Sequence, residues 1–168
     1  ARSFWIDGGV MSLSFMRKRE AVAFDIGSNS IKLVQMAQTK KGWELVKMGM
    51  AELPPEAIVD GSIIDSMTVS NTLKDLVKEH GVKVKDAVSS LTGHSVIIKK
   101  VSIPAMTEDE LADSIQWEAE QYISFPISDV NIDFQILGAD TDGRGQMDVM
   151  LVAVKKDVIN DYTNVIKE

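Results

Sequence analysis

Apolar positions along this chain follow two periods, and the changes of period mark its elements. Ala21–Ile26, "AVAFDI", is a short continuous apolar run, the pattern of a strand buried on both faces. Ser30–Thr39 and residues 42–53 are strand-like runs on either side of "KKG", a hairpin turn with a glycine free to take positive φ. Three antiparallel strands therefore open the fold, and "LPPEAIVDGSIID" then interrupts regular structure. From Ser66 the period becomes helical through Val69, Leu73, Leu76 and Val77, and His80-Gly81 supplies the stop. Residues 85–93 read as one more strand, so the first unit is β-β-β-α-β.

A second unit follows. Residues 95–104 form a strand ended by proline, and "TEDE" from Thr107 to Glu110 is a capping box whose acidic residues also suit the helix dipole. Leu111, Ile115, Ala119 and Ile123 line one face of that helix until "SFPIS" ends it. "VNIDFQILG" and "MDVMLVAVKK" are two strands around "ADTDGRGQ", which makes this unit β-α-β-β. Asp157 is placed to cap a final helix with apolar positions Ile159, Tyr162, Val165 and Ile166. That helix runs to Glu168 without a stop signal, so the sequence reads as ending inside an element. Its apolar face is expected to lie uncovered and to drive self-association into a homo-oligomer.

Composition narrows the classes. The 168 residues are 45% hydrophobic and 26% charged, with a net charge of −7. That balance supports a real core and argues against nucleic-acid binding, which needs a basic face. The absence of cysteine excludes a disulfide framework and fits a reducing cytosol. Apolar runs are strand-sized, short of the roughly 20 residues a membrane-spanning helix requires. Residues 1–10 match nothing downstream and read as a leader or cloning scar ahead of Met11. Arg17, Lys18 and Arg19 offer weak contact to an anionic lipid surface, although a frayed polar leader is the plainer reading.

Candidate chemistry centres on "DIGSNSIK". A phosphate needs several N–H groups converging at a tight turn of small residues. Gly27 lets backbone approach an oxygen, while Ser28, Asn29 and Ser30 are small and bring further donors. Asp25, at the end of a strand, suits a hydrated Mg²⁺, and Lys32 can counter phosphate charge. Taken on spacing alone, a polar turn between two strands explains the same residues. Asp60 and Asp65 flank "GSII" as cleft carboxylates or as a loop residue and a helix cap. His80 and His94 lack metal-ligand spacing. Glu118 and Glu120 fit a solvated helix face, and Met36, Met48 and Met50 look like gap-fillers in a sheet core.

Placement strengthens the phosphate reading. The turn joins the first two strands of a β-β-β-α-β unit, where the actin-like ATPase superfamily carries its first phosphate loop. Asp25, Gly27-Ser28-Asn29 and Lys32 resemble that superfamily's aspartate, turn and lysine. A longer and more specific likeness covers residues 103–138, "IPAMTEDELADSIQWEAEQYISFPISDVNIDFQILG", which resemble the PilM family of type IV pilus assembly proteins. "VDGSIID" resembles the link after the third strand in that family and in its cell-division relative FtsA. The resemblance implies an α/β (α+β) fold, an actin-like ATPase (ribonuclease H-like) N-terminal lobe with an inserted β-α-β-β subdomain as in FtsA. On that frame residues 1–19 are a leader, 20–94 part of subdomain IA, 95–155 the insert, and 156–168 the start of a helix returning to IA.

The same resemblance implies a cytoplasmic, ATP-binding adaptor at the inner membrane face, peripheral to the membrane at most. Its partners would be the cytoplasmic N-terminal tail of PilN and other pilus assembly proteins. ATP and Mg²⁺ would be held at Asp25, Gly27, Ser28, Asn29, Ser30 and Lys32. The family's second phosphate loop and adenosine-binding residues should lie after position 168, so hydrolysis by this chain is not expected. An FtsA-like division filament and an actin-fold small-molecule kinase are the alternatives.

Overall fold

The computed structural model describes residues 20–91, 93, 96–138 and 145–168. The readings made for residues 1–19, for His94 and for most of the "ADTDGRGQ" loop lie outside them. Among the described residues nine strands and three α-helices fall in two groups. In the first, β1 (Ala21–Ile26), β2 (Ser30–Thr39) and β3 (Gly42–Glu52) form an antiparallel meander. A small hairpin of β4 (Ile58–Val59) and β5 (Ser62–Ile63) follows within the proline-rich stretch read as irregular. Asp60 and Gly61 make its turn with φ of 50° and 80°, the left-handed values a two-residue hairpin turn requires. Helix α1 (Ser66–Glu79) leads to β6 (Asp86–Ser89), which pairs parallel to β1 and gives the sheet order β3-β2-β1-β6.

The second group is a three-stranded antiparallel sheet. Strand β7 (Val96–Pro104) and strand β8 (Val130–Gly138) flank a central β9 (Gln146–Lys155), with α2 (Glu108–Glu120) on one face. A 3-10 turn at Ile127–Asp129 joins the helix region to β8. Helix α3 (Lys156–Lys167) starts where β9 ends and packs against α1 and β5.

Each sheet has its own core. Val22, Phe24, Ile26, Ile31 and Leu33 from the first sheet meet Val69, Leu73 and Leu76 of α1, together with Tyr162 and Val165 of α3. In the second, Val149, Leu151 and Ala153 of β9 meet Leu111, Ile115 and Ala119 of α2. Fully burying a side chain such as Leu33 or Leu111 contributes about 1.5–3 kcal/mol, and these two continuous cores hold the sheets to their helices.

Four expectations change. Strand β1 is buried on one face only: Ala23 and Asp25 point outward and are exposed, because α1 and α3 both lie on the opposite side. On the same open face Met36, Met48 and Met50 stand exposed, Met48 at 65%, and fill no core gap. The face of α3 expected to be uncovered is covered, Tyr162 and Val165 being buried and Ile166 packed on the core. Asp157, read as a cap, sits in the first turn of α3, where its carboxylate accepts from the Val158 amide at 2.7 Å, and Lys155 holds the cap position.

Candidate functional site: the turn between the first two strands

Asp25 is the penultimate residue of β1, and Lys32 lies directly opposite it on β2. Their side chains pair at 2.8 Å while 61% and 53% exposed. An ion pair that open to water adds little stability, so the fold does not depend on it. Between them the turn is closed by the Gly27 amide donating to Ser30 O at 3.0 Å, and Asn29 O accepts from the Leu53 amide at 2.9 Å. The turn is thereby clamped to the far end of β3.

That hydrogen bonding withdraws the Gly27 amide from any ligand. The amides of Ser28 and Asn29 make no hydrogen bond among the described residues, and both side chains are exposed. Two amides, two hydroxyls, one carboxamide and the Lys32 ammonium thus share one small turn. Gly27 is not held at positive φ, and a Cβ there would meet only Ser30 O, at 3.4 Å. The fold itself therefore accepts a side chain at position 27.

Other carboxylates resolve into structural roles. Asp65 caps α1, accepting from the Thr68 amide at 3.0 Å and the Thr68 hydroxyl at 2.6 Å. The hydroxyl bond first, then the amide bond, holds its carboxyl below the ordinary value. Asp60 belongs to the β4–β5 turn. His80 Nδ1–H donates to Leu76 O, 3.0 Å away. Glu118 and Glu120 join no metal-binding group. Among the described residues no three His, Asp or Glu side chains gather as a metal cage. A Mg²⁺ at this turn would therefore be held mainly by phosphate oxygens and water, with Asp25 as a single outer carboxylate, a habit natural to that ion.

A second feature escaped the sequence reading. Two hollows flank the 3-10 turn of the second unit, one lined by Ile115, Val130, Ile132 and Lys156, the other by Phe125, Asp129 and Lys155. Lys156 Nζ donates to Ser128 O at 2.6 Å between them, and Lys155 Nζ stands 4.3 Å above the Phe125 ring. "SFPIS" and the "KK" at the junction of β9 and α3 carried the signal, but only the turn of the chain brings them together.

This combination is that of an actin-like ATPase lobe: an antiparallel meander, a helix crossing to a parallel fourth strand, and a small α/β unit inserted before the next helix. The family model for type IV pilus assembly protein PilM matches residues 23–168, and the chain belongs to that family. Among solved structures it is similar to a chain of a PilM–PilN type IV pilus biogenesis complex, with 25% identity and a TM-score of 0.77 over 88% of this chain. It spans 44% of that chain's length. It also resembles the cytoplasmic domain of EpsL, an inner-membrane component of the type II secretion system of Vibrio cholerae. There the identity is 16% and the TM-score 0.53, over 88% of this chain and 52% of that one, a likeness of fold.

Proposed function

We propose that this chain is the N-terminal lobe of an ATP-binding adaptor in type IV pilus assembly. It works at the cytoplasmic face of the inner membrane and holds the cytoplasmic N-terminal tail of PilN. The observation that carries the proposal is the match over 88% of the chain to the PilM–PilN complex. Family membership supports the pilus role.

The nucleotide half rests on the β1–β2 turn. Ser28 and Asn29 amides, the Ser28 and Ser30 hydroxyls and Lys32 are the donors for a phosphate chain, and Asp25 is the outer partner of its Mg²⁺. That ion would supply charge neutralisation at the phosphates. These residues bind, and we assign them no part in hydrolysis. For the peptide half, β8 is an edge strand with hollows beside it, and an extended tail can run along such an edge and seat side chains in shallow pockets.

Calorimetric titration with MgATP tests the first half, using the wild type, Asp25→Ala and Gly27→Ala. Saturable heat in the wild type should vanish in Asp25→Ala. Gly27→Ala separates fold from ligand: melting should be unchanged or raised by up to about 1 kcal/mol, since the space exists and the unfolded chain loses freedom. Nucleotide binding should nevertheless be lost, since on this reading a methyl at position 27 takes space that backbone alone leaves for a phosphate oxygen. A cooperatively melting wild type that gives no heat would end the nucleotide reading. The second half is tested by fluorescence anisotropy with a labelled PilN tail, where saturable binding weakened by Lys156→Ala is expected. A folded chain that leaves the tail tumbling freely would end the adaptor reading.

A further inference from the structure

The β2–β3 hairpin reaches past the rest of its sheet. Among the described residues β1 pairs with β2 from Val22, opposite Gln35, and Met36 to Thr39 lie in register with the start of β3. A register shift between Gln35 and Met36 marks where the overhang begins. At its tip Lys40, Lys41 and Gly42 are exposed, with no carboxylate from Thr39 to Trp43. Trp43 is 66% and Leu45 55% exposed, and Leu45 lies opposite Met36, itself exposed. The apolar strip continues into the open face of the sheet through Val34 and Met48, which are paired in register.

A lone exposed apolar residue needs no explanation, but a contiguous strip ending in a tryptophan beside two lysines does. Charge decides what fits it. The chain carries −7, so an anionic surface is repelled by most of it. The hairpin end differs. Lys78 in the last turn of α1 and Lys83 and Lys85 in the link to β6 are exposed there, against Glu20, Glu44, Glu79 and Asp86. The sequence directly before Glu20 is Arg17-Lys18-Arg19. A second copy of this chain would bring the tip lysines against their own kind.

The geometry points to an anionic lipid bilayer as the partner of this hairpin: Trp43 and Leu45 enter the boundary between headgroups and acyl chains, and Lys40 and Lys41 bind lipid phosphates. Indole rings favour that boundary, and lysine stems lie along apolar surface while their ammonium groups reach outward. Among the described residues no helix is long and apolar enough to cross a membrane, so the contact is peripheral. The phosphate-type turn lies at the opposite end of β1, about 20 Å away for six extended residues, and faces away from the bilayer.

Sedimentation with vesicles of phosphatidylethanolamine and phosphatidylglycerol tests this, with phosphatidylcholine vesicles as the uncharged comparison. The wild type should pellet with the anionic vesicles only and be released by salt. Each tip lysine is worth about fivefold in partitioning, so Lys40→Glu/Lys41→Glu should weaken it by at least about tenfold. Trp43→Ala should weaken it comparably, and thermal melts should show both variants folded, since these side chains are exposed. In a Trp5→Phe/Trp117→Phe background, Trp43 emission should shift to the blue on binding. Absence of wild-type binding, binding retained by both variants, or a wild-type dimer in solution broken by Trp43→Ala would each overturn the proposal.

Discussion

His80 sits over Gly49 of β3, whose missing side chain leaves the space that the imidazole fills. A Cβ at position 49 would come within 2.5 Å of the ring, and Nδ1 is already committed to Leu76 O. Lys47, two residues away, donates to His80 O at 2.7 Å and to Gly81 O, so a cation from a strand meets the carbonyl end of α1. Gly49→Ala should therefore cost about 1–3 kcal/mol in a denaturant melt, as overpacking does. A neutral outcome would mean that the ring swings aside freely. In the sequence His80 was legible as a helix stop, while its dependence on Gly49 was not, because the two are 31 positions apart.

At the scale of elements, local signals predicted the helices well. Thr107 and Glu110 form the capping box read from "TEDE", with both the Glu110 amide and the Thr107 amide satisfied by the other's side chain. The bonds from Thr107, backbone first, hold the Glu110 carboxyl below its ordinary value, and Asp65 is lowered likewise at the start of α1. A carboxylate lowered on folding contributes stability above its unfolded pKa, and that contribution is lost as pH falls through its folded pKa. The melting temperature should accordingly drop on acidification below about pH 4. Thr107→Ala should cost about 1 kcal/mol at neutral pH and make the acid limb shallower. Equal acid sensitivity in the variant and the wild type would place the effect elsewhere. The strands were less legible: an apolar run such as "AVAFDI" reads as doubly buried, and only the placement of both helices on one side leaves Ala23 and Asp25 in water.

Across the whole molecule, α3 joins the two groups. It leaves β9 of the second sheet and lays Tyr162 and Val165 into the core of the first. Tyr162 Oη donates to Gly61 O at 3.1 Å, fastening the β4–β5 hairpin to a helix 101 residues later. Burial raises the phenol's pKa. The folded state thus keeps its proton longer than the unfolded chain, and stability is lost as pH rises above about 10. Tyr162→Phe should cost about 0.5–1.5 kcal/mol near neutrality and flatten the alkaline limb of the melting profile. An alkaline limb unchanged in the variant would count against Tyr162 as its source.

The order of the elements apart from the β4–β5 hairpin, the capping box of α2, the Asp25 to Lys32 turn and the kinship with PilM were all determined by the sequence itself. Each rests on residues near one another along the chain, where periodicity, caps and turn chemistry act locally. Tertiary structure alone decided the rest. It clamped the turn to Leu53, covered α3, opened one face of the first sheet, and gathered Phe125, Lys155 and Lys156 around two hollows. Those outcomes depend on which face each element turns to a distant neighbour. A hydrophobic pattern specifies that a face is apolar, and packing specifies what, if anything, comes to cover it.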